Sequence, residues 1–230
     1  SIDYPLVSDR SAQMARSSLI VMAAFVAAKI VGLLRERAIA HAFGASPDYD
    51  AYLAAFRVPD MLFTVIAGGA LVTAFLPVFA EALAREERRE AWTIASGVTN
   101  LALLTTALLA AAAAIGAPWL TAHVIAPGFD VERQALTAHL MRIILAGTLL
   151  FSVSGVQMGI LNAFRHFLLP AVAPVAYNAA ILAGAVWLAP RFGIEGLAYG
   201  VVVGAAAHLV VKIPGLVRHG FRWFPVLGLR

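Results

Sequence analysis

Long apolar runs separated by short polar or turn-forming stretches organise this chain. Six of them approach or exceed the roughly 20 apolar residues that a helix needs to cross ~30 Å of hydrocarbon. They lie at about Ser17–Leu34, Ala51–Phe79, Trp92–Leu120, Leu136–Leu161, Phe167–Leu188 and Leu197–Val217. The strict alternation of a membrane β-strand is absent, which leaves helices, because backbone groups in lipid must bond within their own segment. The links carry turn chemistry: Gly44-Ala-Ser-Pro-Asp48, Arg85-Glu-Glu-Arg-Arg-Glu90, Ala126-Pro-Gly-Phe-Asp130, Phe164-Arg-His166 and Pro190-Arg-Phe-Gly193. Links this short make consecutive helices antiparallel. The pattern predicts an all-α integral membrane protein, a six-transmembrane-helix bundle, with residues 15–217 as one lobe.

Composition agrees. Of 230 residues, 61% are hydrophobic and 13% charged, against ~25% charged in soluble domains. That supply cannot cover a water-exposed shell of this size, so a soluble enzyme is disfavoured and disorder is excluded. No cysteine is present, which removes disulfides, thiolate metal sites and cysteine nucleophiles. The net charge of +4 matters less than its placement. Arg10, Arg16, Arg85, Arg88, Arg89, Arg165, Lys212, Arg218, Arg222 and Arg230 fall on one flank; Arg37, Arg133 and Arg191 fall on the other. The positive-inside rule then places both ends of the segment in the cytoplasm. The first apolar run is too long for a cleavable signal peptide. Residues 1–14 are polar and expected to be loose or cut from something longer, and residues 218–230 to form a cytoplasmic C-terminal segment. Trp92, Trp119, Trp187 and Trp223 fall near span ends, as an interfacial belt predicts.

Charges within spans are the first place to seek function. Lys29 and Glu36 are seven residues apart in span one, and Asp50 and Arg57 are seven apart in span two. Residues at that spacing lie nearly on one line of a helix. Antiparallel spans then set Glu36 and Asp50 near the outer end, with Lys29 and Arg57 about 10 Å deeper. The preferred reading is a shared, water-filled cavity with a cationic deep layer and a mixed outer layer that includes Arg35. Against it stand internal pairing, Lys29 with an acid and Arg57 with Asp60, and snorkelling, which suits Arg35 and Lys212. Pro59 is expected to kink span two. Gly68 and Gly69 serve either close packing or a bend during transport. Arg142, with His139 on the same face, either extends the cavity or meets headgroups. His208 reads as a packing residue and Lys212 as a cytoplasmic anchor. Gln157, Asn162 and Asn178 read as interhelical hydrogen-bond partners.

No catalytic set is found: there is no nucleophile elbow, P-loop, dinucleotide fingerprint or HExxH. The histidines are dispersed, so no metal site or other cofactor is expected. Basic residues gathered on a membrane flank argue against nucleic-acid binding.

Several stretches resemble the MurJ/MviN family. They are Gly32-Leu-Leu-Arg-Glu-Arg-Ala-Ile-Ala, Phe43-Gly-Ala and Asp50-Ala-Tyr-Leu-Ala-Ala-Phe-Arg-Val-Pro-Asp60. Further along come Ala67-Gly-Gly-Ala-Leu, Ala74-Phe-Leu-Pro-Val-Phe, Ala126-Pro-Gly-Phe and Leu161-Asn-Ala-Phe-Arg-His-Phe, with Pro170-Ala-Val-Ala-Pro and Asn178. Their order and spacing, from Ser17 to Leu216, carry the resemblance. It implies one lobe of the two-lobe multidrug/oligosaccharidyl-lipid/polysaccharide exporter fold in a bacterial cytoplasmic (inner) membrane. The implied cargo is lipid II, the undecaprenyl-diphosphate-linked peptidoglycan precursor, or a similar prenyl-diphosphate-linked saccharide. The implied partners are membrane lipid and a missing C-terminal lobe, with ion or membrane-potential coupling. By motif, Arg35 matches the family's important arginine and Asp50 its acid opening span two. Lys29 and Arg57 match basic positions. The chain departs from the pattern at Leu62-Phe63-Thr64, where a basic pair is usual, and at Gly68, where Glu is usual. The alternatives are a related polysaccharide-lipid flippase, a drug/cation antiporter, and a non-transporting scaffold.

Overall fold

The computed structural model describes the backbone of residues 6–66 and 70–226, and side-chain surroundings over 18–65 and 74–226. Helices dominate. They are α1 (Leu6–Phe43), α2 (Pro47–Ala55), α3 (Arg57–Ile66), α4 (Ala70–Ala84), α5 (Arg88–Ile115), α6 (Ala117–Leu120), α7 (Val131–Ala163), α8 (Leu168–Ala183), α9 (Ala189–Phe192), α10 (Ile194–Val210) and α11 (Ile213–Arg218). Single π-helical turns follow α6 and α8. Local chemistry sets several boundaries. Ser46 caps α2 by accepting from the Tyr49 N–H, with Pro47 in the first turn. Asp130 caps α7 by accepting from the Arg133 N–H. Gly44 and Gly193 take positive φ at the turns after α1 and before α10.

Five stretches are long and apolar enough to cross a membrane: 18–43, 88–115, 131–163, 168–192 and 194–218. The expected second span is present as α2, α3 and α4, broken between α2 and α3. That break has a direct cause. Pro59 cannot donate to the Ala55 carbonyl and its ring crowds it, and α2 ends at Ala55. The helix resumes with Asp60 N–H donating to Phe56 O at 2.8 Å. Gly68 and Gly69 lie outside the described residues. The expectation that residues 1–14 are loose needs correcting over 6–14, which extend α1 as helix.

α7 is the hub, packed by α2, α5 and α10, while α10 also packs on α8. Half of the α7 span is buried, against 11% of the α1 span, which leans chiefly on α8. The core has two parts along the bundle axis. One joins Tyr52, Met141, Leu145, Leu197 and Val201. The other joins Phe79, Trp92, Ile160, Leu161 and Leu216. Trp92 therefore does not belong to an interfacial belt: it is 3% exposed and stacks among Phe79, Phe164 and Phe221. Trp119, Trp187 and Trp223 are exposed, as an interfacial position requires.

Candidate functional site

The break between α2 and α3 shapes the site. Asp50, Leu53, Ala54, Phe56, Arg57 and Asp60 border an open vestibule of about 780 Å³, closed on its far side by Ile125, Ala126, Gly128 and Phe129. The seven-residue spacing of Asp50 and Arg57 thus brings both to one space, and Asp60, three residues past Arg57, joins them. The far wall is held from within: Gln134 donates to the Ala126 and Phe129 carbonyls. The Arg133 guanidinium lies 4.9 Å from the centre of the Phe129 ring. Arg133 also reaches Asp50 at 4.0 Å and Asp130 at 3.9 Å. One cation and two carboxylates line the vestibule itself, so the cationic deep layer expected from the spacing is not what its walls show.

A smaller apolar pocket of about 220 Å³ adjoins it through Phe56 and Asp60, which border both. Its other walls include Pro59, Phe63, Thr148, Phe151 and Tyr177. Here the departure at Leu62-Phe63-Thr64 has a physical form. Leu62 is buried, Phe63 meets Phe151 edge-on at 5.5 Å, and Thr64 donates back to the Asp60 carbonyl. Leu62 alone packs inward, while Phe63 and Thr64 are exposed.

Arg35 forms a second polar centre. Its guanidinium donates to Asn178 Oδ1 at 2.7 Å and pairs with Glu36. Asn178 is itself oriented by donating to the Pro174 carbonyl at 2.9 Å. Tyr49, Tyr52 and Tyr177 lie within electrostatic reach of Arg35. The guanidinium Nε is buried without a protein partner. Arg35 therefore does not snorkel; it is turned onto α8. Asn178 is the interhelical partner expected of it. The Gln157 side-chain oxygen, by contrast, is buried with no partner.

Lys29 is exposed and makes no ion pair among the described residues. Neither Lys29 nor Glu36 borders the vestibule, so the single cavity shared by spans one and two is only half realised. Arg57 and Asp60 share the vestibule without an ion pair within 4.0 Å. Pro59 is buried under the apolar pocket. Arg142 is not a vestibule residue: it donates to the Ala114 carbonyl at 2.8 Å, at the last turn of α5, where a cation suits the helix dipole. His139 meets Glu195 at 3.2 Å. Lys212 is not an exposed anchor; it has no exposed surface. No cluster of metal-binding side chains occurs among the described residues. Sequence reading missed the wall formed by Ile125–Phe129 and the three tyrosines around Arg35, because neither carries a charge.

A family described as "Lipid II flippase MurJ" matches residues 39–230. The lipid II flippase MurJ of Burkholderia cenocepacia is 33% identical over 218 residues, covering 93% of this chain and 42% of its own length. A probable lipid II flippase MurJ of Rhizobium tropici is 30% identical over 214 residues, covering 90% and 40%. Among solved structures, lipid II flippase MurJ in an inward closed conformation superposes with a TM-score of 0.69 at 23% identity, over 91% of this chain and 44% of that one. A MOP superfamily transporter from Pyrococcus furiosus, for which a binding pocket of reverse polarity suggests a different function, superposes with a TM-score of 0.68 at 17% identity, over 91% and 46%. These two superpositions establish the fold. The chain spans about two fifths of the length of the relatives it matches.

Proposed function

Because this chain belongs to the lipid II flippase MurJ family, we propose that it is the N-terminal lobe of a transporter that moves lipid II from the cytoplasmic to the outer leaflet. Members of the family are flippases and not enzymes, which agrees with the absence of a catalytic set. The observation that carries the reading is the vestibule at the broken second span, where Arg57 faces open space beside Asp50 and Asp60. A diphosphate cannot cross hydrocarbon while it keeps its water, so a polar, hydrated recess must replace that solvation. Arg57 supplies charge there. Arg35, held by Asn178 with spare donor capacity, supplies it on the neighbouring helix. Lys29, exposed on α1, adds a third cation as the head group passes. The carboxylates keep the recess from holding an anion too tightly to release it. The prenyl chain stays in lipid.

A second lobe, supplied by the remainder of a longer protein or by another chain, closes the cavity. The two lobes alternate between inward-open and outward-open states. Membrane potential or an ion biases a cycle in which charge moves. On this reading the lobe lies in a bacterial inner membrane with both ends of the segment cytoplasmic, which the excess of Lys and Arg on one flank supports.

Charge reversal tests the reading. Arg35→Glu and Arg57→Glu, each placed in the full-length protein, are expected to abolish growth rescue in flippase-depleted cells while membrane insertion persists. Full rescue by properly inserted variants would remove the cationic role. The two carboxylates in the vestibule also suit a second reading, a related exporter with another prenyl-diphosphate cargo or a cation. A flipping assay of lipid II against a second prenyl-diphosphate saccharide separates the two.

A further inference from the structure

Lys212 is the most conspicuous group that the cargo reading leaves unused. It is fully buried at the joint between α10 and α11. Its ammonium donates to the Ser154 carbonyl at 2.6 Å and to the Ser154 Oγ at 2.6 Å. His208 Nδ1 stands 3.3 Å from Nζ and 2.8 Å from Ser154 Oγ. The Ser154 carbonyl and Oγ accept two of the ammonium's N–H bonds, and His208 Nδ1, in the tautomer that leaves it unprotonated, offers a third acceptor that it shares with the Ser154 hydroxyl. Its hydrogen bonds are satisfied and its charge is not.

No carboxylate lies within 4.0 Å of Lys212 among the described residues. The acid that shares these surroundings is Asp60, which borders the same pocket as Phe151 and Tyr177 but forms no ion pair with Lys212 within 4.0 Å. From α7 come Ser154 and the Phe151 ring, which sits 5.1 Å from the His208 ring. From α8 comes Tyr177, edge-on to Phe151 with ring centres 5.0 Å apart. From α10 comes His208 itself. α11 carries its one charge at Arg218, at its far end. A cation kept dry with no counter-charge is costly, and proton loss is the simplest relief. The balance is one proton: the ammonium becomes an amine, the site goes from +1 to neutral, and the proton leaves to water. The amine keeps its place, since its lone pair accepts from the Ser154 hydroxyl.

We propose that Ser154, His208 and Lys212 form an interior proton-binding site that ties protonation to the seam between α7 and the α10–α11 joint. The location gives the site leverage. Ser154 belongs to the hub helix, whereas Lys212 occupies the interruption at Val211–Lys212, where α10 stops before α11 begins. A change in hydration at this seam changes whether the proton is held, and the proton in turn changes how firmly the seam closes. The inference stands apart from the identity of the cargo.

Within this chain the lysines are Lys29 and Lys212, and each signal is assigned by its loss on substitution, whatever lysines the rest of a longer protein adds. The intact protein is prepared in lipid nanodiscs with lysine labelled by carbon-13 at Cε, and the Lys212 signal is assigned by its loss in Lys212→Met. The expected result is a signal that titrates between about pH 5 and pH 9. Its midpoint should move by about one unit in His208→Gln, because that change removes a direct partner. Ser154→Ala should move it as well, with the Lys29 signal unchanged. A Lys212 signal constant across that range would show a permanently charged structural group and overturn the proposal. So would a midpoint indifferent to both partner substitutions. Where Lys212→Met fails to insert, Lys212→Arg supplies the assignment, and His208→Gln and Ser154→Ala, which retain the lysine, carry the test.

Discussion

At the scale of the residue, a charge in this chain is defined by what lies across from it. Arg35 and Arg142 both look like guanidiniums exposed on apolar helices. One is oriented by a side-chain amide on α8; the other finishes the C-terminus of α5. Only the first lies against a partner side chain on another helix. His219 shows the same dependence. Its ring lies parallel to Phe164 at 4.2 Å, with the His166 ring at 5.9 Å. Burial above all, then His166 and Arg88, hold its protonation below the usual histidine range. The folded protein therefore keeps His219 neutral while the unfolded chain takes up a proton near the ordinary value of 6.5. The stability it contributes is fully present above that pH and is lost as pH falls through it. Thermal unfolding in detergent should show a lower midpoint near pH 5.5 than near pH 7.5. His219→Phe should reduce the difference, and an unchanged difference would refute the assignment.

At the scale of the element, two devices shape the lobe. The first is the interruption of span two, which trades one continuous rod for α2 and α3 and opens wall space for the vestibule. The second is glycine contact between the α8–α9 region and α10. A Cβ built on Gly196 would stand 2.5 Å from the Leu188 carbonyl carbon, and one on Gly184 would stand 2.8 Å from Gly200 Cα. Both obstacles are backbone, which cannot swing aside as a side chain does. Gly196→Ala should therefore cost about 1–3 kcal/mol through forced separation of the helices. Gly32→Ala is the control, because nothing lies within 4 Å of its added carbon. Unfolding midpoints and membrane yield report the difference, and equal values for the two variants would rule out the close-packing role.

At the scale of the whole molecule, the basic flank and the acid-rich vestibule sort to opposite ends. Arg88, His166 and His219 converge at one; Asp50, Asp130 and Arg133 converge at the other. The proposed orientation puts the first end in the cytoplasm. The chain has no cysteine, so single substitutions within it report the sidedness once any cysteine in the rest of a longer protein is replaced. An impermeant maleimide should label Pro127→Cys in intact spheroplasts and label Glu86→Cys only after lysis. The reverse pattern would invert the topology. The weakly covered face of α1, where Leu33 is 71% exposed, is apolar surface left for lipid or a second lobe.

The amino-acid sequence by itself determined the helices, their number to within the broken second span, the turns between them and the sorting of charge to two flanks. These depend on apolar run length, on proline and on polar linkers, all of which act within a few residues. The same local logic made Asp50 and Arg57 legible as neighbours on one face and marked Pro59 as a break. Tertiary structure alone decided which charges meet. Asn178 finds Arg35 across 143 positions, and Ser154 finds Lys212 across 58. Whether a lysine near a helix end reaches headgroups or disappears into a seam depends on the rotation of one helix against another. That rotation is set by the summed packing of α7, α8 and α10, which no local pattern encodes.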